Sequence, residues 1–129
     1  MWGLPRGYYH IFMQRVTGTH ILGGCTTAEV EKLCNLPLVQ KTIEQDIQNA
    51  GLHNLGVVSH QFENGAFTLA IILAESHVSI HTWPEDKYVA LDVYLCNYSR
   101  DNRAICEQLF DGIVNFFVPM DICKQIIFR

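Results

Sequence analysis

"AFTLAIILAESHVSIHTWPEDKYVALDVYLC", residues 66–96, holds three runs with the two-residue period of a strand. The runs are 66–74, 78–83 and 88–96. "PEDK" (84–87) is a turn between the last two. Side chains alternate across a strand. Phe67, Leu69, Ile71 and Leu73 therefore share one face with Val78, Ile80, Val89, Leu91, Val93 and Leu95. Thr68, Ser79, His81, Asp92, Tyr94 and Cys96 fall on the other. One face is a core; the other carries small and reactive groups, and meets either water or a second subunit.

Working outward, "LGVVSHQF" (55–62) is a strand, joined to 66–74 through the turn signal "ENG" (63–65). "TGTHILGG" (17–24) is a first strand, and residues 1–16 read as irregular. A helical region is expected over Thr26–Ala50, with a Thr26/Glu29 capping box, a break near Pro37 and a stop at Gly51. A second helix is expected over 99–118, capped by Ser99 or Asp101 and ended by Pro119, with "ICKQIIF" as a last strand. This order predicts one α+β domain over residues 1–129: a two-layer sandwich, mostly antiparallel, with the helices on one face.

Composition narrows the function. The 129 residues are 49% hydrophobic and 17% charged, enough for one core. The net charge of −4, with no basic tract, argues against nucleic acid or an anionic membrane as partner. No apolar run is long enough for a membrane span, and the N-terminus lacks a signal-peptide core, so a cytoplasmic protein is expected. Five cysteines without a CxxC pair speak against a disulfide framework or a thiolate zinc site.

"ESHVSIHTWPE" (75–85) packs two histidines, two serines and two glutamates into eleven residues. From spacing alone His81 reads as a hydrogen-bonded strand histidine, Cys96 as core filler and Trp83 as a plug at the sheet edge. No metal site is expected: His77 and His81 lie ~13 Å apart along a strand. A Ser76–His81–Asp92 hydrolase triad lacks the G-x-S-x-G elbow.

The same run, followed by "YVALDVYLC", closely resembles the bacterial short-chain S-adenosylmethionine decarboxylase proenzymes, whose motif is ESH-x-S/T-IHT-W/Y-PE, a further strand and a cysteine. "GTHIL" (18–22) and "HQF" (60–62) are also similar to family segments, so the resemblance covers residues 18 to about 98. It implies autocatalytic cleavage between Glu75 and Ser76 into chains 1–75 and 76–129. The Ser76 hydroxyl attacks the preceding carbonyl, the peptide becomes an ester, and β-elimination and hydrolysis leave a pyruvoyl group on the new chain. That covalent cofactor forms a Schiff base with the substrate amine and takes up the electrons left by departing CO₂. By the resemblance His81 is the processing base, Cys96 the proton donor to substrate, and Thr68 a processing hydroxyl where the family usually has serine. Phe62 and Trp83 match positions that sandwich adenine, and Glu85 the acid that accepts the ribose hydroxyls. The implied protein is a homodimer with active sites at its interface, acting on S-adenosylmethionine for polyamine synthesis. Two alternatives are an ornithine or arginine decarboxylase on the same fold and a non-cleaving regulatory paralogue. Phe62, Trp83 and Glu85 together favour a nucleoside substrate.

Overall fold

The computed structural model describes residues 18–97 and 100–129. The irregular reading of residues 1–16, the strand position Thr17 and the cap at Ser99 lie outside them. Among the described residues, six strands form one antiparallel sheet in the order β2-β3-β4-β5-β1-β6. The strands are β1 (Gly18–Thr27), β2 (Asn54–Gln61), β3 (Phe67–Leu73), β4 (Ser76–Trp83), β5 (Tyr88–Cys96) and β6 (Pro119–Phe128). Helices α1 (Leu36–Asn49) and α2 (Arg103–Phe116) roof one face, giving the expected α+β two-layer architecture.

The alternation read from sequence sets this arrangement. Phe67, Leu69, Ile71, Val78, Ile80, Leu91, Val93 and Leu95 are all buried, against Ile43 and Ile47 of α1 and Phe110 and Ile113 of α2. Each such side chain contributes roughly 1.5–3 kcal/mol by leaving water. The intervening residues, including Thr68, His77, Ser79, His81, Asp92 and Tyr94, remain half-buried on the opposite face, which no helix among the described residues covers.

The first helical region is shorter than its sequence period suggests. Thr26 is not a helix cap; it pairs with Tyr88 and Asp121 inside the sheet, and β1 runs to Thr27. A 3-10 turn (Val30–Cys34) follows, and α1 starts only at Leu36. Asn35 Oδ1 accepts from the Leu38 N–H, and Pro37 sits in the first turn, where its missing N–H costs nothing. Gly51 takes φ +73° just beyond the helix, as the stop signal requires. The second helix is trimmed as well. It begins at Arg103, whose N–H is accepted by Asp101 Oδ1, and it ends at Phe116. Strand β4 begins two residues early, at Ser76.

Strands β1 and β6 approach closely at Gly23, where a Cβ would fall 1.9 Å from the Cys123 carbonyl oxygen. Gly23→Ala should push β6 off the sheet edge, costing about 1–3 kcal/mol as an overpacked contact does. Amide exchange would show protection lost across residues 119–128 first; unchanged protection there would contradict the constraint.

Candidate active site

The uncovered face carries two clusters at opposite ends of β4. The first surrounds the tip joining β3 to β4. Leu73 pairs with Ser76, so Ala74 and Glu75 form the whole connection. Ser76 sits at φ +144°, a region that strains any residue with a Cβ. The Glu75 carbonyl accepts the Cys96 N–H at 2.9 Å, which polarises the carbonyl carbon next to Ser76. Ser76 Oγ lies 3.3 Å from His77 Nδ1. The Glu75 carboxylate is clamped by His53, whose N–H donates to Oε1 at 3.1 Å and whose Nδ1 lies 2.8 Å from Oε2. Cys96 is held in turn by Asn102, fully buried, whose Nδ2 donates to the Cys96 carbonyl at 2.9 Å.

Around the middle of the face, His20 of β1 bonds Asp92 through Nε2 and stands edge-on to His77, ring centroids 6.3 Å apart. His20, His77 and Asp92 each bring one ligand atom within 4.8 Å of the others, a grouping of three strands that spacing along the chain does not reveal. His20, His53, Asn64 and Asn102 are given no role by the sequence reasoning. His20 alternates with buried Ile21 along β1, a periodicity that does place it on the uncovered face.

The second cluster lies at the far end of β4. Thr68 and His81 are cross-strand partners, with Thr68 Oγ1 3.1 Å from His81 Nδ1. They share a cleft of about 520 Å³ with Phe62, Asn64, Trp83 and Glu85. The His81 and Trp83 rings are 6.1 Å apart, and Asn64 Nδ2 reaches Glu85 Oε2 at 3.4 Å. Phe62 and Trp83 are both partly exposed.

The structure thus gathers Thr68, His81, Phe62, Trp83 and Glu85 in one place, and Glu75, Ser76 and Cys96 in another. Ser76 and His81 are five residues apart on one extended strand, roughly 16 Å by strand rise. His81 pairs with Ala90, six residues from Cys96 on β5, a separation of about 20 Å. A Ser76–His81–Asp92 triad cannot form within one protomer. The remaining cysteines divide by burial: it pushes Cys25 up to about 11 and Cys106 up to about 12, so these thiols stay protonated and inert at neutral pH.

Fold and site together define a class: a two-layer α+β protein whose open sheet face bears a strained serine hairpin at one end and an acidic, aromatic cleft at the other. Within that class, a family model described as S-adenosylmethionine decarboxylase matches residues 19–122. An S-adenosylmethionine decarboxylase proenzyme of Persephonella marina is 42% identical over 84 residues, 65% of this chain. That match spans 63% of the Persephonella protein's length. The proenzyme of Aquifex aeolicus is 32% identical over 115 residues, covering 88% of this chain and 82% of its own. The crystal structure of the Aquifex aeolicus adenosylmethionine decarboxylase superposes with a TM-score of 0.79 at 29% identity, covering 88% of this chain and 91% of that one. The chain belongs to the S-adenosylmethionine decarboxylase family.

Burial raises the Glu75 pKa, but the two hydrogen bonds and the charge of His53 outweigh it, so the carboxyl titrates below its ordinary 4.5. The stabilisation is complete above that value and is lost as pH falls through the lower folded one. Thermal melts of an uncleaved Ser76→Ala chain between pH 6 and 3 should show a falling midpoint below about pH 4.5. His53→Ala should flatten that fall; identical slopes would remove the clamp from the account.

Proposed function

We propose that this chain is a proenzyme that cuts itself between Glu75 and Ser76 and then decarboxylates S-adenosylmethionine, supplying an aminopropyl donor for polyamine synthesis. The observation that carries the reading is the state of that one peptide bond. Its carbonyl is polarised by the Cys96 N–H, and the serine after it is strained at φ +144°. Both features favour attack of Ser76 Oγ on the Glu75 carbonyl carbon, which converts the peptide to an ester and lets the backbone at Ser76 relax. Removal of the Ser76 α-proton then expels the Glu75 carboxylate, and water hydrolyses the resulting dehydroalanine, releasing the Ser76 nitrogen as ammonia and leaving a pyruvoyl cap on residues 76–129. When formed, that cap supplies a ketone able to accept the substrate amine and the electrons released with CO₂. The names of the relatives and the two aromatic side chains that line the cleft support S-adenosylmethionine as substrate. Phe62 and Trp83 stack the base, Glu85 accepts the ribose hydroxyls, and the ring faces attract the sulfonium charge.

The separation along β4 supports a site shared between two copies. His81 and Thr68 cannot reach Ser76 of their own chain, so they serve Ser76 and Cys96 of a second copy. A homodimer pairing the two open sheet faces in opposite directions brings each cleft against the partner's hairpin tip. It also covers the half-buried Ala70, Ala90 and Tyr94 and the exposed Ile72 on that face. In that arrangement His81 removes the α-proton, with Thr68 fixing its ring, and Cys96 returns a proton to the substrate α-carbon.

Intact mass should show chains 1–75 and 76–129, the latter without a free amine; active protein in a single uncleaved band would end the proposal. Co-expressing tagged Ser76→Ala and His81→Ala chains should restore cleavage of the His81→Ala chain alone, since only that site pairs an intact serine with an intact histidine. Absence of cleavage in the mixed dimer would place both residues in one protomer and refute the shared site. Carbon dioxide release should favour S-adenosylmethionine over ornithine and arginine. Trp83→Ala should lower kcat/KM by roughly 5- to 150-fold, the equivalent of one lost stack.

A further inference from the structure

We propose that His77 carries the proton in the first chemical step of self-cleavage, taking it from the Ser76 hydroxyl and returning it to the Ser76 nitrogen. The inference rests on the reading that the Glu75–Ser76 bond is cut, and adds a base for the step that opens it. His81 cannot be that base within the chain, because it lies roughly 16 Å away along the same strand. His77 can. Strand alternation would turn Ser76 and His77 to opposite faces, yet Ser76 Oγ stands 3.3 Å from His77 Nδ1. The unusual φ of Ser76 accompanies this contact.

The surroundings suit a ring that becomes transiently cationic. Beside His77 stand Tyr94 of β5, ring centroids 6.0 Å apart, and His20 of β1, which is itself bonded to Asp92 of β5. From β3 the cross-strand partner is Ile72, which cannot titrate. Asp92 is thus the one anion among these neighbours, held beside His77 by way of His20. His20 is mostly buried, and among the described residues its Nδ1 has no partner, so the His20–Asp92 pair is anchored through Nε2.

The step balances without any added reagent. Neutral His77 accepts the Ser76 Oγ proton on Nδ1 as Oγ bonds to the Glu75 carbonyl carbon. The carbonyl oxygen becomes an alkoxide, stabilised by the Cys96 N–H. Its collapse breaks the carbon–nitrogen bond, and the departing Ser76 nitrogen takes the proton back from Nδ1. One C–N bond is exchanged for one C–O bond, one proton moves from oxygen to nitrogen, and nothing is oxidised or reduced. His77 is well placed because both atoms belong to the neighbouring residue. His20 and Asp92 are positioning residues.

Ester formation can be timed apart from elimination in a His81→Ala background, where hydroxylamine, which cleaves esters far faster than amides, reports the ester. Adding His77→Asn or His77→Ala should slow appearance of hydroxylamine-labile chain by at least about 100-fold. A rate within threefold of the parent would overturn the proposal. Should those variants fail to fold, the His81→Ala parent still decides: its rate should rise with pH through the histidine range and then level off. A tenfold rise per pH unit throughout, the signature of hydroxide, would overturn it. Asp92→Asn should move the inflection to lower pH, which a merely structural role would not do. Loss of cleavage on treatment with EDTA would show that the His20–His77–Asp92 trio holds a cation, and would also defeat the proposal. If the wild-type chain never cleaves, the proposed function itself falls; if it cleaves while the His77 variants cleave equally well, only this inference does.

Discussion

The pitch of an extended strand governs where the polar side chains of this molecule can stand. A residue on β4 can share a face with its neighbours two and four positions away, but it cannot move towards them: each step costs a little over 3 Å and the ladder on both sides fixes the register. Ser76 and His81 stand at the two ends of that ruler. A helix could have brought residues at such spacing within reach, and a loop could have folded them together. A central strand of a six-stranded sheet can do neither, so Ser76 and His81 of one chain are held apart.

The same rigidity explains why the face is polar without being unstable. The helix-facing rows bury large aliphatic side chains almost completely, and that burial supplies the driving force of the fold. The open rows are therefore free to hold groups that favour function over packing. Thr68 against His81, Asp92 against His20 and His77 beside Ser76 are each satisfied by a partner across or along the sheet. Glu75, at the tip, is held by His53 from the segment that leads into β2.

How much of this could be read from the letters depends on the length scale of the signal. The two-residue period over residues 66–96 was sufficient for the hairpins, the core face and the membership of the open face, because alternation is local. The first helix was misjudged at its start because Thr26 to Asn35 carries apolar residues at helical spacing, whereas the Thr27 hydroxyl and the sheet register hold that segment in strand and 3-10 turn. That Phe62, Trp83 and Glu85 line one cleft with Thr68 and His81 is a matter of position, which residue types alone did not show. What alternation could not show was distance along the strand as an obstacle to chemistry, or the approach of His20 to His77. That approach depends on β1 being inserted beside β5, a pairing of residues more than seventy positions apart.

The strand order also determines what a cut at the β3–β4 tip would leave behind. Pieces ending and beginning there would own strands β1, β2 and β3 on one side, and β4, β5 and β6 on the other. In the sheet these are interlaced: β3 borders β4, and β1 is wedged between β5 and β6. Parting the pieces would mean unzipping three ladders at once, so a severed backbone would remain a single body, as woven threads stay together after one is snipped. The fold could surrender a covalent bond at this hairpin tip because its integrity was never entrusted to that bond.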